Sequence, residues 1–203
     1  MKVTRVQVEK HRKRILDCAG ELFREKGFDG VSIADIMKAA GLTHGAFYGH
    51  FSSKDQLIAE ACANAISISR EEWNNDTAEH PRNPLATIVA SYLSTKHRDD
   101  LAKGCLFAAL GPDTVRQDKS VRRVFTDGLR AHIAILTKIA AGASGRARSE
   151  KAIAAMAGLV GALILARAVD DPPLSAEILR AAAARLSPKA ARMDKLSRLT
   201  RKP

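Results

Sequence analysis

Three features of this 203-residue chain predict an all-α fold of about nine to ten helices. Apolar residues recur at i, i+3, i+4 and i+7 in most segments, the spacing of one helical face. Strand signals are scarce, and no Asn-Gly or Asp-Gly pair joins two alternating apolar/polar runs. Capping residues and glycine stops punctuate the periodic stretches at helix-length intervals. A hydrophobic content of 46% supplies a core, so wholesale disorder is excluded.

Val8 to Lys26 is the first predicted helix, with Ile15, Leu16, Ala19, Leu22 and Phe23 on one face and Gly27 as its stop. Residues 1–7 read as a mobile basic arm. Cys18 falls among core positions as a small hydrophobe, and Phe28 and Val31, in the loop after the helix, pack beneath the next two helices. Ser32 caps a second helix, with Asp35 three residues on as an approximate capping box. Ile33, Ile36, Met37 and Ala40 form its apolar face, and Gly41 allows the chain to leave in a left-handed conformation. Thr43 caps a third, short helix whose inward residues are Phe47 and Phe51. Its outward residues are His44, Gly45, Ala46, Tyr48 and His50. They are small or hydrogen-bonding and include no carboxylate, which suits a helix entering a DNA major groove. Ser53 and Gln56 form a further capping box, and Lys54 stands where a phosphate would lie beside the groove. Helix, glycine turn and polar-faced helix make a helix-turn-helix candidate.

The run from Ile15 to Leu57, ILDCAGELFREKGFDGVSIADIMKAAGLTHGAFYGHFSSKDQL, resembles the DNA-binding domain of the TetR family of bacterial transcriptional regulators. The passages ELFREKGFDGVSI, AAGLTHGAFYGHF and SKDQL carry the resemblance. It implies double-stranded DNA with a palindromic operator as partner, a homodimer, and a small-molecule effector. By resemblance His44, Gly45, Ala46, Tyr48 and His50 face the groove, with Ser32, Thr43 and Lys54 towards backbone phosphates. Tyr48 is either a phosphate or base-edge contact or an aromatic packing the head, and His50 either touches phosphate or packs and caps. Gly49 stands where many relatives carry a bulky residue.

The remaining chain continues the helical pattern. Leu57, Ile58, Ala61, Ala65 and Ile68 mark a helix from Lys54 to about Asp76, and NNDTAEHPRNP breaks it. Asn83 and Pro84 open a helix to about Thr95, with Leu85, Ile88, Val89, Tyr92 and Leu93 inward. A turn or short helix comes next at 96–102. Then come helices at 104–117, where Gly111-Pro112 should kink or break the chain, and at 118–141. GASGRARS reads as a flexible turn before a helix at 150–169. That helix carries no charge from Ala152 to Ala166, yet falls short of the ~20 residues a membrane span needs. The small residues Ala154, Gly158 and Ala162 permit close helix packing. Helices 118–141 and 150–169 are the expected homodimer interface, two from each chain around a twofold axis. A last helix spans about 174–186. The expected domains are 1–53 for DNA binding, 54–186 for regulation and dimerisation, and 187–203 as a basic tail.

The net charge of +11 points to a polyanionic partner. Lys2, Arg5, Lys10, Arg12, Lys13 and Arg14 oppose only Glu9 and stand beside the helix-turn-helix, where they are expected to grip phosphates. Residues 180–203 oppose eight basic residues to Asp194 alone, as a solvated tail or a second anionic contact. Cys18, Cys62 and Cys105 show no CxxC, and MKVTRVQVEKHRKR has no apolar signal region, so a cytoplasmic protein is expected. The six histidines form no metal spacing, and no GxSxG, P-loop or GxGxxG occurs, so neither enzyme nor cofactor is expected. KHRDDLAKGCLF resembles a regulatory-domain subgroup of the same family. An apolar effector is expected between helices bearing Trp73, Tyr92, His97, Cys105, Leu106, Phe107 and Phe125. Cys105 stays open between a pocket or core residue and a thiol sensor. The expected function is a repressor released by that effector. The alternatives are an activator, a regulator released by thiol modification, and a nucleoid-like protein without sequence preference.

Overall fold

The computed structural model describes residues 4–140, 142 and 144–187, so the basic tail from residue 188 lies outside the described residues. These hold nine α-helices and one 3₁₀ helix, and among them there is no strand. The chain forms two compact units, one of residues 1–68 and 101–128, the other of 69–100 and 129–203. The first unit is thus larger than the 1–53 head read from the sequence.

In that unit α1 (Arg5–Lys26) begins earlier than periodicity indicates. Thr4 accepts from the Gln7 backbone and Gln7 reaches back to Thr4, a complete capping box, so Arg5–Gln7 are helical. Gly27, at φ +73°, ends the helix. The Ser32–Asp35 box opens α2 (Ile33–Ala39) with both of its hydrogen bonds formed. Its exit is a full Schellman motif: Leu42 N–H donates to the Met37 carbonyl (2.9 Å) and Gly41 N–H to the Lys38 carbonyl (3.0 Å), with Gly41 at φ +65°. Ile15, Ala19 and Phe23 of α1 and Ile36, Met37 and Ala40 meet Phe28, Val31, Phe47 and Phe51 in one core. Leu57, Ile58, Ala61 and Cys62 of α3 (Lys54–Glu79) close it, as do Leu106 and Leu110 of α6 (Leu106–Thr114) and Val121 and Phe125 of α7 (Lys119–Ile139).

Several local expectations need correction. Pro112 does not interrupt α6; it costs one backbone bond, while the last turn holds through the Thr114 hydroxyl on the Leu110 carbonyl (2.8 Å). Gln56 does not reach back to Ser53. Ser53 accepts from Gln56 N–H (3.1 Å), but Gln56 Oε1 takes the Ser52 N–H (2.8 Å) and hydroxyl (2.7 Å), so the box slips by one residue. Helix α3 runs to Glu79, absorbing the first half of the expected break.

The second unit contains α4 (Pro84–Tyr92), α5 (Thr95–Asp99), α8 (Gly145–Ala168) and α9 (Pro172–Leu186), with the later parts of α3 and α7. Asn83 precedes α4 without a side-chain cap bond, leaving Pro84 as the start signal. Most of the expected GASGRARS turn is helical: α8 starts at Gly145, and Arg146 pairs with Glu150 at 2.8 Å one turn on. At 24 residues α8 is long and apolar enough to cross a membrane, so the length argument against a span does not hold. Its buried face of Ala152, Met156, Leu159, Leu163 and Ala166 is nevertheless a packed face, and α9 lies against it. A Cβ on Gly158 would meet Leu186 at 3.3 Å, and Ala162 is buried. Of the small-residue line, then, Gly158 is used for packing within the chain. The outward face instead carries Ile153, Ile164 and Leu165, exposed by 49, 36 and 57%.

Candidate nucleic-acid interface

Residues 44–49 form a 3₁₀ helix (His44–Gly49) where an α-helix was expected. Two of its six residues are glycine, which weakens an α-helix, and its ends close with i→i+3 bonds from Ala46 to Thr43 (3.0 Å) and from His50 to Phe47 (2.8 Å). Thr43 stands at the cap position without a side-chain cap bond. The orientation of the segment comes from two phenylalanines. Phe47 and Phe51 are buried and stack at 5.7 Å, so the residues between and before them point outward. Burying two such rings contributes roughly 3–6 kcal/mol, enough to hold a six-residue helix that has little stability of its own.

Six of the eight sequence-derived residues lie on this segment, with Ser32 at the α2 cap and Lys54 at the start of α3. His44, Gly45, Thr43 and Tyr48 are exposed, while Ala46 and His50 are half-buried. Tyr48 is 67% exposed and leans its ring edge-on to Phe47 (5.2 Å) and His44 (6.3 Å), so its hydroxyl end is presented outward on a fixed base. Nothing lies within 4 Å of a Cβ placed on Gly45 or Gly49, so both glycines leave open surface. Two members of the set are engaged elsewhere. The Ser32 hydroxyl serves the α2 cap, and its bonds hold the Asp35 carboxyl below the usual carboxylate range. Lys54 Nζ donates to the Phe28 carbonyl at 2.8 Å.

Residues of α1 also meet this segment: His11 was missed in the sequence, and Arg12 and Arg14, expected on phosphates, are bonded to protein acceptors here. His11 sets its ring against His50 at 6.4 Å. Arg12 donates to the His50 carbonyl and to Glu60, and covers the Phe51 ring at 4.3 Å. Arg14 donates to the Ala40 carbonyl through Nε (2.5 Å) and Nη2. Burial, together with the charges of His11 and Arg12, pushes the His50 imidazole below its usual range. The available signal was the α1 stripe itself, since 11 and 12 lie four and three residues before Ile15 on its inward face.

The seven expected effector residues divide into two groups. In the second unit Trp73, Tyr92 and His97 are brought together, with ring centroids at 6.0 Å (Trp73–Tyr92) and 4.7 Å (Tyr92–His97). His97 Nδ1 lies 2.6 Å from the Tyr92 carbonyl, and burial lowers its pKa. His132, missed in the sequence, is buried against Trp73 at 4.9 Å with Nε2 3.3 Å from the Ser69 hydroxyl. Arg167 Nη2 and Nε donate to the carbonyls of His97 (2.8 Å) and Arg98 (2.9 Å), closing the end of α5. In the first unit Phe107 and Phe125 meet edge-on at 5.8 Å, Leu106 is in the core, and half-buried Cys105 is the N-cap residue of α6. Burial raises the pKa of half-buried Cys18 and takes that of buried Cys62 to about 12, which disfavours both thiolates.

A capped helix, a Schellman turn and an outward polar helix on buried aromatics define the class: a helix-turn-helix protein. Residues 15–61 match the family model described as bacterial regulatory proteins, tetR family. The HTH-type transcriptional regulator AcrR of Shigella flexneri is 35% identical over 85 residues, 42% of this chain and 40% of that protein. The chain spans 40, 30 and 46% of the length of three such curated relatives. Among solved structures, E. coli NemR in its reduced form has a TM-score of 0.74 at 22% identity, over 88% of this chain and 95% of that one. A TetR-family transcriptional regulator from Agrobacterium tumefaciens has a TM-score of 0.68 at 27% identity, over 88% and 98%. Residues 15–61 thus carry the segment that defines the tetR family of bacterial regulatory proteins, and solved regulators of that family share the fold of the chain.

Proposed function

We propose that this protein is a DNA-binding transcriptional regulator, a repressor that a small apolar effector releases from a palindromic operator. The observation that carries the reading is the carboxylate-free surface of residues 43–50, with Tyr48 outermost, on the buried Phe47–Phe51 stack. His44, Gly45, Ala46, Tyr48 and His50 would enter the major groove, with Ser32, Thr43 and Lys54 beside the phosphates. Lys54 would exchange the Phe28 carbonyl for a phosphate oxygen. Two heads would occupy half-sites about 10 bp or a multiple apart.

A homodimer through α7 and α8 is supported by the outward stripe of Ile153, Ile164 and Leu165, which a second copy would cover. A second copy on that stripe, rather than lipid, is our reading of the apolar α8, and a regulator bound to DNA would act in the cytoplasm. The effector would meet aromatic and apolar residues from the set Trp73, Tyr92, His97, Cys105, Leu106, Phe107 and Phe125. Because a ligand shifts a population only by its differential affinity, induction requires tighter effector binding to the state off DNA.

The test is a titration of purified protein against the DNA upstream of its own gene, with random DNA as competitor, at two salt concentrations. A complex that survives excess competitor with two protomers per site supports the reading. Complete loss to competitor would mean a generic DNA anchor.

A further inference from the structure

We infer that Arg12 is a positioning residue for the groove-facing 3₁₀ helix, holding it from behind, and that its charge is not spent on phosphate. The inference rests on the DNA-binding reading and adds a residue that the reading does not include. Three contacts converge on one guanidinium. Nη1 donates to the His50 carbonyl, Nη2 to a Glu60 carboxylate oxygen, and the carbon centre lies 4.3 Å above the Phe51 ring. The His50 carbonyl belongs to the last turn of the 3₁₀ helix, where backbone acceptors have no partner further along the helix. Arg12 supplies that partner from α1.

Glu60 is itself fixed. Gln56 Nε2 donates to its other oxygen at 2.9 Å, and Gln56 Oε1 accepts from the Ser52 N–H and hydroxyl. A closed circuit therefore runs from His50 through Arg12, Glu60 and Gln56 to Ser52, bracketing the residues where the chain leaves the 3₁₀ helix and enters α3. The planar fork of arginine serves two acceptors and a ring face together, which a lysine ammonium does not. The Arg12 and Glu60 side chains are about two-thirds covered, at 32% and 35% exposure, unlike Lys13 at 70%. Arg14 repeats the device one step away, donating to the Ala40 carbonyl at the end of α2. Two arginines of the basic N-terminal run thus fasten the far ends of both helices of the helix-turn-helix.

The salt dependence of binding separates positioning from phosphate contact. Each neutralised phosphate contributes about −0.9 to the slope of log K against log salt. The probe is a duplex selected by the wild-type protein from a random pool, with unselected DNA as the non-specific control, tested with Arg12→Gln, Arg12→Lys and Glu60→Gln. Thermal unfolding of each variant reports folding. Positioning predicts that all three variants lose specific affinity by on the order of ten-fold, the weight of one charge-assisted hydrogen bond. Their salt slopes and non-specific affinities stay at wild-type values. Glu60→Gln is the sharpest arm, because it removes a negative charge and should tighten DNA binding unless Glu60 acts through Arg12. A slope reduced by about 0.9 in Arg12→Gln and restored in Arg12→Lys would make Arg12 a phosphate contact and overturn the inference. So would Glu60→Gln binding as tightly as wild type. If the wild-type protein selects no sequence, the DNA-binding regulator reading itself falls, and the inference with it.

Discussion

Replacing Gly41 with alanine should destabilise the head by about 3 kcal/mol, through two separable causes. Gly41 sits at φ +65°, and an alanine in that left-handed region costs roughly 1–2 kcal/mol. The added methyl would also run into Arg14 Nη2, so the guanidinium must leave the Ala40 carbonyl that it holds with two nitrogens. Losing a hydrogen bond from a charged donor costs about 1.5–3 kcal/mol, and the lower end applies here because Arg14 is an exposed residue. Urea unfolding of wild type, Gly41→Ala, Arg14→Ala and the double variant measures each term. The second cause is shared between the two single changes. In the Arg14→Ala background, Gly41→Ala should therefore cost only the backbone share, roughly 1–2 kcal/mol. Full additivity of the two changes would refute the proposed collision, and a single-variant cost under about 0.5 kcal/mol would refute the backbone argument as well.

Other outcomes rest on exposure, packing and titration. Tyr48→Ala should lower specific DNA affinity by about 1–3 kcal/mol while leaving the unfolding midpoint near wild type, because the ring is 67% exposed; footprinting and calorimetry check the two halves. Ile164→Glu on the outward face of α8 should convert a dimer to monomer in light scattering without unfolding it, and an unchanged mass would move the interface elsewhere. Stability should fall on mild acidification. His50 and His97 both have lowered folded pKa values, so their contribution is complete above the ordinary value of 6.5 and is lost as pH falls through that value towards the folded ones. Melting temperature at pH 7.5 should exceed that at pH 5.5, and His50→Gln with His97→Gln should flatten the difference. Asp35 and Asp118, held below 3.8, contribute their losses only at lower pH, so they do not account for that window.

The all-α class, the order of helices and the helix-turn-helix were legible in the sequence because each rests on short-range physics. Apolar stripes such as Ile33, Ile36, Met37 and Ala40 mark a buried face, Ser32 with Asp35 marks a start, and Gly41 marks the one backbone conformation that a Schellman exit requires. The outward set at 44–50 was legible for the same reason, since Phe47 and Phe51 fix which way the segment faces. Tertiary structure alone decided the rest. Whether Arg12 and Arg14 meet phosphate or protein depends on carbonyls 38 and 26 residues away that helix termini leave unsatisfied, and composition counts only their charge. Lys54 and Ser32 likewise carry the right groups for phosphate, but their partners here are a loop carbonyl and a helix cap. The expected effector residues share apolar character with the core, so periodicity could not sort them; folding put Trp73, Tyr92 and His97 beside His132, and Leu106, Phe107 and Phe125 in the other unit. Local sequence sets the conformation and inward face of each helix, while the partner of a long polar side chain is set by which elements the hydrophobic core brings within its reach.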